Sequence, residues 1–234
     1  MNPDVKTWQN ALLAAGYEVG KADGVFGPAT LRASLKALHG DVGGDNGRVY
    51  APGEITERIA LELIGHEAIV REAYKDSVGV WTWGIGVTSA SGYTVERYKD
   101  NPQTIARCLE VYLWLLREKY APDVMKAFGG HSLTEAQFGA ALSFHYNTGA
   151  ILRATWAKSW LAGNEAEARA KFMEWKKPAA IVERRRKEAA LFFDGVWSAD
   201  GKATVYPVRK PSYAPDWGGA QRVDIREALR EAMK

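Results

Sequence analysis

Apolar residues recur at helical spacing over most of the chain. Val5, Trp8, Leu12 and Leu13 predict a first amphipathic helix, which Gly16 ends. Asp23-Gly24-Val25-Phe26-Gly27-Pro28 reads as a tight turn with a buried Phe26 and a proline opening the next helix. Leu31, Leu35 and Leu38 give that helix its apolar stripe. The glycine-dense stretch 41–53 reads as a flexible linker. Beyond it, Ile55, Ile59 and Leu63 recur every fourth residue, and one further step reaches Glu67, which the pattern places at the close of a helix. The period then changes. Tyr74 and Asp76 share one face of a strand, Asp76-Ser77-Val78-Gly79 forms a turn, and Trp81 and Trp83 share one face of the returning strand with Thr82 on the other. A long apolar helix is expected over 103–120, and another after Leu133, capped by Ser132 or Thr134. The tail from Ser198 is rich in Gly and Pro and ends helix-like over 223–234; it would pack on the preceding domain or bridge to the first module. The class is α+β, mostly helical, with a small early hairpin and the divisions 1–40, 41–53, 54–197 and 198–234.

Composition narrows the function classes. A hydrophobic fraction of 47% and a charged fraction of 25% are ordinary for a globular chain. The net charge of +3 comes from 31 basic against 28 acidic residues, without the clustered excess of a nucleic-acid binder, so no nucleic-acid partner is expected. The run Arg184 to Lys187, bounded by Glu183 and Glu188, reads as a solvated helix face. Cys108 is alone in an apolar helix, which implies a buried thiol. Four scattered His and one Cys give no metal-ligand spacing, and no nucleotide fingerprint is present, so neither a metal nor a cofactor is expected. The start Met1-Asn2-Pro3-Asp4 lacks signal-peptide character, and no apolar run could span a bilayer.

Glu67, Asp76 and Thr82 are the candidate catalytic residues. Eight residues separate the Glu from the Asp, and five separate the Asp from the Thr. Two carboxylates in different surroundings suit glycosidic bond cleavage, where one holds a proton for the leaving oxygen and the other stays ionised. The stripe ending at Glu67 predicts an apolar setting that favours the protonated acid. Asp76 on its own would be a turn former, and Thr82 an ordinary strand residue.

These residues carry a family resemblance. Glu67, Tyr74, Asp76, Gly79, Thr82, Gly84 and Gly86 resemble the signature of phage-type lysozymes, the endolysins: a Glu, eight residues, an Asp or Cys, five residues and a Thr. Ala68 stands where the family often has Gly, and Val87 where it usually has His. Leu133-Thr134-Glu135-Ala136-Gln137-Phe138, Ser143-Phe144-His145-Tyr146-Asn147-Thr148-Gly149, the late Trp175 and the Arg184–Phe192 run are also similar to that family. The resemblance implies a lysozyme-like domain in which Glu67 is the general acid and Asp76 with Thr82 positions water. Asn147 would either face the cleft and bind an N-acetyl group or cap its helix beside Gly149. Trp81 or Trp83 would serve as an aromatic platform for sugar, with core packing as the alternative.

Gly16-Tyr17 and Asp23-Gly24-Val25-Phe26-Gly27 with Thr30 resemble the small three-helix peptidoglycan-binding module. Tyr17, Asp23 and Phe26 are its candidate contacts. Together these imply a monomeric muramidase acting on bacterial peptidoglycan, held in the host cytoplasm without stable membrane insertion and released by a holin. A lytic transglycosylase or a non-catalytic wall-binding protein are the rival readings.

Overall fold

The computed structural model describes residues 2–17, 19–39, 53–76 and 78–234, and divides into two compact units, Met1–Ala51 and Pro52–Lys234. In the first unit, the Asn2 side chain accepts from the amides of Asp4 and Val5 and so caps α1 (Pro3–Ala14). A second helix, α2 (Pro28–His39), follows; the third that the resemblance implies is not among the described residues. The turn before α2 is organised by a glutamine. Gln9, 1% exposed, donates to Asp23 Oδ1, the Val25 carbonyl and Thr30 Oγ1, and accepts from the Gly24 amide. Because Gln9 holds the backbone of this turn, the side chains beyond it are left outside, and Phe26 is 53% exposed rather than buried as expected. The small core is Leu12, Val19 and Ala33, with Tyr17 and Ala37 against it. The side chains of Leu35 and Leu38, Ser77, and the linker up to Pro52 lie outside the described residues.

The second unit begins its regular structure at Thr56, whose hydroxyl accepts from the Ile59 amide and starts α3 (Glu57–Gly65). Ile59, Leu63 and Ile64 bury one face of α3. This helix ends sooner than the stripe predicts. The amides of His66 and Glu67 reach back only three residues, to Leu63 and Ile64, and the tightened turn hands the chain to β1 (Ala68–Lys75). Glu67 therefore lies in the helix–strand turn and not on the helix.

β1 is the middle strand of a five-stranded sheet, flanked by the antiparallel β2 (Trp81–Gly84) and then β3 (Val87–Thr88). Its pairing with β2 shifts between Val70↔Gly84 and Tyr74↔Thr82. Within that bulge the Arg71 carbonyl accepts instead from the Gln103 amide (2.8 Å) and Trp83 Nε1 (3.0 Å). Thr104 caps α4 (Ile105–Leu115), which widens into a π-helical segment at Leu116–Tyr120 before α5 (Ala121–Ala127). Thr134, not Ser132, caps α6 (Glu135–Thr148) in a reciprocal pair with Gln137, and Gly149 at φ 61° ends it. α7 (Thr155–Leu161), α8 (Glu165–Phe172) and α9 (Val182–Asp194) close around α6 on a core of Phe144, Trp156, Phe172 and Phe192. Cys108 is buried under Gly84, and burial pushes its thiol up to about 12. No helix among the described residues is long and apolar enough to cross a membrane.

The segment after Ser198 is built into this second unit. β4 (Lys202–Val205) pairs in parallel with β1 through Ala68↔Thr204 and Ile69↔Val205. A short hairpin follows, β5 (Val208–Arg209) against β6 (Ala214–Pro215), and β7 (Gln221–Asp224) then returns antiparallel to β4. α10 (Arg226–Ala232) packs on α4 and α3. The segment is anchored by Glu62 of α3, 1% exposed, which accepts from the Ser198 amide (2.8 Å), the Ser198 hydroxyl (2.6 Å) and the Ala199 amide (2.9 Å). Burial pushes the Glu62 carboxyl up, but the bonds from His66, Ser198 and Ala199 outweigh it and hold the group at about 2, down from 4.5. A lowered folded value contributes stability that is full above the unfolded value and is lost as pH falls through the folded one. Unfolding free energy is therefore expected to fall by about 3 kcal/mol between about pH 5 and pH 2 on account of Glu62 alone. Urea titrations of the native chain and Glu62→Gln at the two ends of that window check this, with the variant expected to show the smaller loss.

Candidate active site

The turn after α3 and the β1–β2 hairpin bring the three predicted catalytic residues to one place. Tyr74 is the link between them. Burial pushes its hydroxyl up to about 12, and the charges of Asp76 and Glu67 push in the same direction, so both carboxylates lie within its electrostatic reach. Thr82 is directly opposite Tyr74 in the antiparallel register, and directly opposed residues project from the same face. Asp76 turns the hairpin: its Oδ1 accepts from the amides of Val78 (3.0 Å) and Val80 (2.9 Å), and its own amide donates to the Val80 carbonyl. Thr82 is 4% exposed and its hydroxyl donates to the Val80 carbonyl at 3.2 Å.

Glu67 does not meet the aliphatic wall that its stripe predicts. Its Oε1 is held by Arg184 Nη1 of α9. Around it stand four tyrosines, Tyr74, Tyr112, Tyr120 and Tyr146, each raised first by burial, with the Glu67 charge contributing in the same direction. All four stay protonated at neutral pH, so Glu67 faces neutral aromatic groups on one side and a cation on the other. Tyr146 donates to the Ile85 carbonyl at 2.5 Å and packs edge-on against Tyr112. Gly86, at φ 68°, makes room for it: a Cβ there would sit 3.0 Å from the Tyr146 hydroxyl.

The basic run of α9 corrects the expectation of a solvated face. Arg185 is fully buried, and the Arg184 side chain is 10% exposed. Arg184 Nε donates to Glu188 Oε1 (2.9 Å) and its Nη2 to the Ser143 carbonyl (3.2 Å), while the Ser143 hydroxyl donates to the same Glu188 oxygen (2.6 Å). Arg185 donates to Glu188 Oε2, to the Trp175 carbonyl (2.9 Å) and to Asn147 Oδ1 (2.6 Å). This network is not foreseen by a solvated helix face, though the sequence carries a signal for it. Arg185, Glu188, Ala189 and Phe192 fall at apolar-stripe spacing, so two charged residues occupy inward positions.

Asn147 sits in the last turn of α6 with its carbonyl oxygen taken by Arg185, and it lines an open cleft of about 540 Å³ with Thr155, Glu174, Trp175 and Ile181. Trp83 is buried and stacked on Tyr98 at 4.0 Å, a core residue. Trp81 is half-buried at the hairpin edge. Tyr17, Asp23 and Phe26 belong to the first unit. There the Asp23 carboxyl is lowered by the Val25 amide and by Gln9, a structural use of that side chain. Among the described residues no group of three or more His, Cys, Asp or Glu is placed to hold a metal ion.

The chain is similar in structure to the endolysin of Escherichia coli O157:H7 phage FAHEc1, at 26% identity and a TM-score of 0.49 over 63% of this chain and 99% of that one. It is similar to a point mutant of P22 lysozyme, at 27% identity and a TM-score of 0.49 over 59% of this chain and 97% of that one. It also resembles the muramidase domain of SpmX from Asticaccaulis excentricus, at 24% identity and a TM-score of 0.47 over 60% and 97% of the two chains. No curated protein matches. The phage lysozyme family model matches residues 65–188, more than half of the chain and the whole span from the Glu67 turn to Glu188; the chain belongs to the phage lysozyme family, peptidoglycan-degrading glycoside hydrolases.

Proposed function

We propose that this lysozyme is a muramidase that hydrolyses the β-1,4 bond between N-acetylmuramic acid and N-acetylglucosamine in the wall of a bacterial host at the end of phage growth. Tyr74 carries the reading, because it feels both Glu67 and Asp76 and faces Thr82 across the hairpin. Glu67 protonates the leaving oxygen. The Thr82 hydroxyl has one hydrogen and two lone pairs. While its hydrogen serves the Val80 carbonyl, a lone pair accepts one hydrogen of the attacking water. Asp76 accepts the other, and the water oxygen is left free for the anomeric carbon, on the face away from Glu67, giving inversion.

Asn147 holds an N-acetyl group of the glycan in its cleft, and Trp81 borders the bound chain. The first unit binds the wall through Tyr17, Asp23 and Phe26, and Phe26 is exposed enough to do so. The protein works as a monomer, waits in the host cytoplasm and reaches the wall when a holin opens the membrane.

Mass spectrometry of fragments released from purified peptidoglycan tests the bond assignment. Reducing muramic acid ends are expected; 1,6-anhydro ends would overturn it. Asp76→Asn tests the water-directing role separately from the turn. An Asn Oδ1 can still accept from Val78 and Val80, so the hairpin stays, but the base is gone. A loss of about 100-fold in rate with an unchanged melting temperature is expected; retention of more than about a third of the activity would remove Asp76 from the mechanism.

A further inference from the structure

The β5–β6 hairpin, which lies outside the span matched by the family, reaches the edge of the catalytic hairpin. The Lys75 amide, one residue from Asp76, donates to the Tyr213 carbonyl at 2.7 Å. The Tyr213 ring stands edge-on to Trp81 at 5.3 Å, and its hydroxyl donates to Asp100 Oδ2 at 2.8 Å. Tyr213 (φ 58°) and Asp100 (φ 55°) are the two non-glycine residues in the left-handed region among those described, and they are bonded to each other. Such strain persists where surrounding contacts over-determine it, and it clusters at binding sites. Lys210 lies between Glu72 and Asp100 and pairs with both.

Two further cations border this arrangement. Lys99 Nζ sits 4.7 Å from the Tyr213 ring and 5.8 Å from that of Trp81, and Lys75 Nζ sits 5.4 Å from Trp81. Both lysines are exposed; no ion pair within 4 Å joins either to a carboxylate among the described residues, and the Lys99 charge adds only the smallest part to the lowering of the Asp100 carboxyl, after Lys210 and Tyr213. The nearby acids are otherwise engaged, Glu72 and Asp100 by Lys210 and Asp76 by the amides of its own turn. A sugar ring stacks on an open aromatic face. Trp81 instead presents the edge of a tyrosine and two ammonium groups, and ammonium groups recognise carboxylates.

We propose that Lys75 and Lys99, set around Trp81 and held by Tyr213 of the added hairpin, bind the carboxylates of the acidic stem peptide that hangs from muramic acid beside the scissile bond. The proposal rests on the muramidase reading and gives that site a preference for peptide-bearing glycan.

The test compares kcat/KM of the full chain on intact peptidoglycan and on glycan strands freed of their stem peptides by an amidase. The wild type is expected to prefer the intact polymer. The double variant Lys75→Ala/Lys99→Ala is expected to lose about 10-fold on intact polymer, removing most of that preference, and Lys75→Arg/Lys99→Arg to restore it. Equal losses on both substrates, or no loss on intact polymer, would overturn the proposal. If the wild type cleaves neither substrate, the muramidase reading fails by itself, and binding decides this one. Free stem peptide is expected to shift the Trp81 indole N–H resonance in the wild type and not in the alanine variant. No shift, or a shift with inorganic phosphate and none with the peptide, would refute carboxylate recognition.

Discussion

Glu67→Gln is expected to leave the fold intact and to lower the rate of peptidoglycan hydrolysis by about 100- to 10,000-fold, the range that general acid catalysis contributes. The substitution keeps the shape of the side chain and its contact with Arg184, whose guanidinium still has Glu188 at 2.9 Å as its charged partner. The four tyrosines around the site remain neutral with or without the Glu67 charge, so the aromatic side of the pocket does not change its ionisation. Turbidity loss of purified walls gives the rate, and near-ultraviolet circular dichroism reports the packing of the aromatic cluster. Activity above about a tenth of the native level, with native packing, would transfer the proton to another group and sink the assignment. A loss of both signals would instead make Glu67 a structural partner of α9.

The second large effect lies in the network behind that acid. Glu188→Ala is expected to destabilise the second unit by about 3–5 kcal/mol, because it removes the carboxylate that the fully buried Arg185 and the nearly buried Arg184 share. Arg185 would keep only the Trp175 carbonyl and Asn147, both uncharged. A drop in melting temperature on the order of 10 °C follows for a unit of this size. The companion variant Arg185→Met/Glu188→Met separates charge burial from packing. Removing both charges together takes away the desolvation penalty as well as the attraction, so the pair is expected to recover most of the loss. If the double variant melts no higher than the single one, the network contributes through shape and hydrogen bonding rather than through paired charge.

The β1–β2 hairpin is legible from spacing because a hairpin keeps residues close in sequence close in space, and Tyr74, Asp76 and Thr82 all sit on it. The caps at Thr134 and Gly149 were readable for the same local reason. What lay beyond the sequence depends on distant partners. The stripe that carries Glu67 is correct up to Leu63, but the helix yields to a strand whose neighbour, β4, lies over 130 residues later. Arg184 and Arg185 look like solvent-facing charges until Glu67, Ser143 and Asn147 are brought against them. Phe26 looked like a core residue because aromatic residues usually are; the inward position of that turn belongs to Gln9, a polar residue that offers both the donor and the acceptor which an aromatic ring lacks. Between Ser198 and its final helix the tail offers no periodicity to read, since strands of two to four residues are too short to show one.

The parallel pairing of β1 with β4 also bears on the order in which the second unit folds. Strand β1 directly follows the turn that carries Glu67 and leads into Asp76, yet its start at Ala68 and Ile69 waits for residues 204–206, and β4 in turn waits for β7 at 221–224. Contacts this far apart in sequence close late and slowly. On the ribosome, the nascent chain would expose Glu67, Asp76 and Thr82 long before the sheet that supports them could form. A chain that stops before residues 204–224 then carries Glu67, Asp76 and Thr82 without the strands that complete the sheet beside them.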